Sequence, residues 1–165
     1  MTRRCATVVA AWLGAALVLS PFGARADPIA DARAVAAAFQ RAVAAGDAES
    51  VIALYDDDAW LIWPGRAQEA RGKVAIAAFF HRELPAIRAS NPMLARLVAT
   101  PLGADTIAVV GHWQQGPEDE RTEVRTTEVL VRRGGSWKYL IDHASVGAAP
   151  SNPRGRDERR RRRDR

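Results

Sequence analysis

Between residues 29 and 45, apolar side chains recur at Val35, Phe39 and Val43, with Arg33, Gln40 and Arg41 turned to other faces. A spacing of four predicts an amphipathic helix. Gly46 stands where a left-handed residue closes helices, and Asp47 reads as the N-cap of a second, short helix over 48–55 that buries Val51, Ile52 and Tyr55. The acidic run Asp56-Asp57-Asp58 is expected to stop it. A short aromatic-rich run, 59–63, reads as a strand ended by Pro64-Gly65, and 68–71 as a stub that pairs with it. After Gly72, Ile76, Phe79, Phe80 and Leu84 trace a third helix that Pro85 is expected to kink or end, with Asn91-Pro92 closing the segment.

From residue 93 the period changes to two. Strands are predicted over 93–102, 106–115, 121–133 and 136–146, separated by Gly103-Ala104-Asp105, Gly116-Pro117 and Gly134-Gly135. The last of these is a two-residue hairpin loop in which both positions accept positive φ. Helices followed by a run of antiparallel strands define an α+β fold.

The ends change the picture of charge and address. Arg3 and Arg4, an apolar run over 6–19 and Ala24-Arg25-Ala26 make a secretory signal with a small-residue cleavage site, so 1–26 is expected to be removed and the chain to be periplasmic or secreted. The only cysteine, Cys5, leaves with it, so the body must be held by its core and not by a disulfide. The net charge of +5 belongs to the ends. Within 27–150, thirteen basic residues face sixteen acidic ones, a balance of −3 that argues against a nucleic-acid-binding fold. The tail, 151–165, has eight arginines and no apolar anchor. It is expected to be disordered and to offer weak contact with anionic surfaces.

Four stretches, in order, carry a family resemblance. They are Ala45-Gly-Asp-Ala-Glu-Ser-Val-Ile-Ala-Leu-Tyr55 with Asp56-Asp57-Asp58, then Arg71-Gly72-Lys73, then Thr126-Thr-Glu-Val-Leu-Val-Arg-Arg133, and Ser136-Trp137-Lys-Tyr-Leu-Ile-Asp142-His143-Ala-Ser145. The body over 29–145 resembles the nuclear transport factor 2-like superfamily on its SnoaL-like and ketosteroid-isomerase side. The resemblance implies a cone-shaped curved antiparallel sheet wrapped around the N-terminal helices. It does not imply one chemistry, since one fold carries many functions. Ketosteroid isomerase pairs a strand carboxylate, as base, with a tyrosine and a protonated carboxylic acid that hold the oxyanion. Laid along this chain, the base falls at Trp63, the tyrosine at Phe39 and the acid at or beside Glu128. Two of the three groups are therefore missing, and that activity is not expected.

If the Gly134-Gly135 loop sets an unbroken register, Arg133 faces Ser136 and one face carries Val124, Thr126, Glu128, Leu130, Trp137, Tyr139, Ile141, His143 and Ser145. The aligned acid places that face inside the cone. Glu128 and His143 are then diagonal neighbours, either an acid/base pair or a satisfied polar link in the core. The other face holds Val129, Val131 and Leu140, an apolar patch expected to serve a homodimer. Phe39, Tyr55, Trp63, Trp113 and Tyr139 are candidates to line a ligand cavity, although core packing explains aromatics equally well. Trp60 and Trp137 share that alternative. His112 is expected either exposed or facing the cavity, and His81 at a rim. The three histidines have no metal-ligand spacing, and no phosphate or dinucleotide fingerprint is present, so no metal or cofactor is expected. Three functions remain in view: a domain that binds a small apolar ligand or a protein partner, an isomerase, cyclase or dehydratase working through Glu128 and His143, and an accessory protein at the cell envelope tethered by its Arg-rich tail.

Overall fold

Asp27 starts the first helix by accepting hydrogen bonds from the backbone N–H groups of Ile29 and Ala30, so α1 spans Pro28–Ala45. A computed structural model describes residues 27–66 and 68–147; the expected signal segment and the basic tail lie outside the described residues. Gly46 ends α1 at φ 71°, and Asp47 caps α2, Ala48–Ile52, through Ser50. The remaining elements are β1 (Tyr55–Ile62), β2 (Ala70–Arg71), α3 (Gly72–Ala89), β3 (Met93–Gly103), β4 (Thr106–Gln115), β5 (Thr122–Arg133) and β6 (Ser136–Val146).

The strands form one sheet in the order β2-β1-β6-β5-β4-β3, with β1 and β6 parallel and the other neighbours antiparallel. The helices bury Val35, Phe39, Val51, Ile76, Phe80 and Leu84 against Leu61, Val109, Leu130 and Tyr139 of the sheet. The α+β class and the curved sheet around N-terminal helices are as expected from the sequence.

Three local readings need correction. The second helix stops at Ile52, and Tyr55 opens β1, because its backbone pairs with Tyr139 across the parallel β1–β6 edge. The acidic run is therefore inside a strand. Asp56 is buried and receives the Arg133 guanidinium at 2.9 Å, while Asp57 and Asp58 face solvent. Pro85 does not end α3. It sits on the exposed side of the helix, where a lost backbone bond is met by water, and α3 continues to Ala89.

The third correction reaches the site. Gly134 and Gly135 both adopt positive φ, at 55° and 81°, and the hairpin begins in the register that loop dictates, with Arg133 opposite Ser136 and Leu130 opposite Tyr139. The register then slips by one residue. Val129 pairs with Ile141, leaving Leu140 as a β-bulge, and every later residue of β6 changes face. The parallel neighbour is irregular at the same level, stepping from Tyr55 opposite Tyr139 to Trp60 opposite Ile141.

Candidate functional site

Because of the Leu140 bulge, Asp142 and not His143 shares the inner face with Glu128, and the two carboxyls stand directly opposite each other on β5 and β6. Glu128 is 4% exposed and Asp142 6%, whereas His143 is exposed on the outer face, opposite Thr127. The expected Glu128–His143 pair is thus replaced by Glu128–Asp142. Ile141 and Ser145 move outward with His143, and Ala144 takes the inner position against Thr126.

A cavity of about 170 Å³ lies between this face and the helices. Phe39 of α1 and Ile87 of α3 close it from one side, with Trp63, Pro64 and Pro92 from the connecting segments. Trp113, Val124, Thr126, Glu128, Tyr139, Asp142 and Ala144 line it from the sheet. Four of the five expected lining residues, Phe39, Trp63, Trp113 and Tyr139, are in this wall. Tyr55 lies behind it: fully buried, with its ring centroid 5.1 Å from that of Tyr139, it donates its hydroxyl to Asp142 Oδ2 at 2.6 Å. It is not part of the cavity lining, and its hydroxyl holds the Asp142 carboxyl. Trp60 and Trp137 are outside the cavity wall and lie under guanidinium groups, Arg71 and Arg132 respectively. His112 is on the outer face, 2.9 Å from Glu123 Oε1, and His81 is exposed beside Glu49.

The electrostatics follow from burial. Loss of water, then the neighbouring Asp142 carboxyl, push Glu128 from 4.5 to about 8. Burial raises Asp142 from 3.8 to about 6, opposed by the Tyr55 hydrogen bond and the charge of His143 across the strand. Near neutral pH the pair therefore tends to hold one proton, on Glu128, and one negative charge, on Asp142, which has a hydroxyl donor to stabilise it. The Thr126 hydroxyl beside Glu128 weakly opposes the rise but lies outside hydrogen-bonding geometry, and the buried Trp113 indole N–H is also without a partner among the described residues. Both crowd Gly111 on β4. A β-carbon there would overlap the Thr126 oxygen and come within 2.9 Å of Trp113 Nε1. Only glycine lets these two walls meet.

Sequence reasoning placed Glu128 but missed Asp142. A signal for it exists. Trp137 and Tyr139 are the apolar members of one parity, yet in Asp142-His-Ala-Ser-Val146 the apolar residues Ala144 and Val146 have the other. A strand whose apolar parity switches midway needs a bulge to keep one face buried.

The sequence profile of the SnoaL-like domain family matches residues 32–149. Among solved structures, an NTF2-like protein of unknown function from Pseudomonas putida KT2440 is 23% identical, with a TM-score of 0.63 over 74% of this chain and 89% of that one. A protein with a cystatin-like fold from Caulobacter vibrioides is 17% identical, with a TM-score of 0.64 over 79% and 94%. A putative calcium/calmodulin dependent protein kinase II association domain from Xanthomonas campestris is 23% identical, with a TM-score of 0.57 over 81% and 99%. No curated protein matches the chain. These likenesses establish an NTF2-like, cystatin-like fold, and the family match establishes membership: the chain belongs to the SnoaL-like domain family.

Proposed function

We propose that this chain takes a small, mainly apolar molecule into its cone and holds the molecule's one polar group against Glu128 and Asp142. The observation that carries this reading is two buried carboxyls, opposite each other on adjacent strands, lining one aromatic-walled cavity. Pockets of this kind bind through apolar area and are oriented by a few fixed polar groups. The test is a thermal-shift screen of ring-sized compounds on wild type and Ala144→Phe, a change that fills the cavity from β6. Compounds that raise the Tm of wild type and leave the variant unmoved support the pocket. Equal shifts in both proteins would end the reading.

A second reading, acid/base catalysis of the isomerase or dehydratase type, is favoured by one further feature. Tyr55 singles out Asp142 as the carboxyl to carry charge, so Glu128 can give a proton where Asp142 takes one. It replaces the Glu128–His143 version, since His143 does not face the cavity.

The proposal places the protein outside the cytoplasm after cleavage at Ala26, and intact mass from the extracytoplasmic fraction checks that. It also retains a homodimer through the outer sheet face, on different residues. Val131 is 5% exposed and so is buried in its own chain, whereas Val98, Val110 and Ile141 are 44%, 45% and 37% exposed around Val129. Two of the similar structures are described as kinase association domains, which is consistent with an assembling role. Sedimentation of wild type and Val110→Lys at tens of micromolar decides it; a wild-type monomer rejects the dimer.

A further inference from the structure

We infer that the polar group this cavity takes is a protonated amine. The inference rests on the pocket reading above and narrows it to one class of ligand.

The described wall carries two carboxyls and no lysine, arginine or histidine. Once Glu128 gives up its proton the pair only accepts hydrogen bonds, so two carboxyls facing one cavity suit a ligand rich in donors. Asp142 has a donor in Tyr55, at 2.6 Å. Glu128 has none in hydrogen-bonding geometry among the described residues, the adjacent Thr126 hydroxyl included. An ammonium group supplies three donors and no acceptor, together with the charge that lets both carboxyls ionise away from water. The rest of the wall suits the same guest, because the faces of Phe39, Trp63, Trp113 and Tyr139 carry the negative potential that attracts cations. An anion would meet like charge. A neutral alcohol or ketone would be served by one protonated carboxyl and would leave the Asp142 charge with the Tyr55 hydroxyl but no cation against it.

Size narrows the class further. A buried space of about 150 Å³ admits benzene, and this cavity is about 170 Å³. One ring bearing a short aminomethyl arm matches that volume. Amine capture should also displace a proton from the carboxyl pair, so affinity should rise with pH while the amine itself stays protonated. The groups facing the pair are Tyr55 of β1 and Tyr139 of β6, both held neutral by burial, with Thr126 of β5 and Trp113 of β4; His143 lies behind Asp142 on the outer side of β6.

The experiment titrates the full chain with four probes of one shape: benzylamine, benzyl alcohol, toluene and benzoate. Binding is followed by calorimetry and by chemical shifts of the tryptophan indole protons. At pH 7.5 benzylamine should bind at least tenfold more tightly than benzyl alcohol, and benzoate should not bind. Between pH 5.5 and 8 the benzylamine affinity should rise at least fivefold while that of toluene stays level. Glu128→Gln and Asp142→Asn should each erase the preference for the amine and keep toluene binding. If benzyl alcohol or toluene binds as tightly as benzylamine, or if the amine binds more weakly as pH rises, the amine inference falls and the pocket survives. If all four probes fail at millimolar concentration, the pocket reading falls and takes this inference with it. Because the wild-type panel needs no substitution, a variant that does not fold leaves the test intact.

Discussion

The β5–β6 hairpin has two ends that obey different rules. Near its loop, from Arg133–Ser136 to Leu130–Tyr139, pairing follows from two glycines with positive φ. Beyond Leu140 it follows from what the rest of the fold requires, namely that Ile141 and Asp142 pair with Trp60 and Leu61 and that Ala144 be buried. A single inserted residue separates the two regimes and exchanges an imidazole for a carboxyl at the centre of the cavity. Local turn chemistry sets a register only as far as the next irregularity.

The comparison is most sharply tested by pH. Glu128 and Asp142 both bind protons more tightly in the folded protein than in the unfolded chain, so the unfolded state binds fewer protons and stability falls as pH rises. The loss begins above the ordinary carboxylate range, includes Asp142 up to about 6, and is complete above about 8 for Glu128. At ~1.4 kcal/mol per proton and pH unit, wild type should lose several kcal/mol between pH 5 and pH 8. Glu128→Gln should lose much less and should be the more stable protein at pH 8. Denaturant melts across that range measure it, and stability that rises with pH would contradict a buried pair.

Next in size is the Tyr55 link. Asp142→Ala leaves a fully buried hydroxyl without its acceptor and should cost about 2 kcal/mol, partly offset by relief of Glu128. Asp142→Asn keeps an acceptor oxygen and should cost less. Gly111→Ala should cost about 1 kcal/mol or more, since its methyl group must displace the Thr126 hydroxyl and the Trp113 indole. The smallest effect belongs to the outer side of the bulge. His143→Ala should change stability by less than about 0.5 kcal/mol. A loss above 1 kcal/mol would mean that His143 is inside and the register unbroken.

Much of this was legible in the chain. The periods of α1 and the last strands, Gly46, Asp47 and Gly134-Gly135 each encode local geometry, and local geometry is what short sequence patterns carry. Glu128 was legible because it lies on the side of the hairpin that keeps its parity. Asp142 was not, because its face depends on a bulge stabilised by contacts distant in sequence, Tyr55 to Tyr139 among them. Tyr55 itself read as the last residue of a helix, since nothing nearby announces that its backbone pairs with a strand more than eighty residues later. The outer patch was misread at Val131 for a related reason: alternation says which side Val131 is on, not whether its own chain covers it.

The irregular stretch of β1 has a consequence for how such a domain can diverge. Four residues, Asp56 to Ala59, separate Tyr55 from Trp60, while only Leu140 separates their partners on β6. The strand thus carries slack between two fixed points. Asp57 and Asp58 project from that slack into water, with Lys73 3.1 Å from Asp57 and the Asp58 backbone N–H donating to Asp56 Oδ1 at 3.2 Å. An insertion between them, natural or engineered, is expected to break the Asp58–Asp56 bond yet to leave Tyr55 on Asp142, so a new loop here should disturb the cavity less than one placed elsewhere in β1.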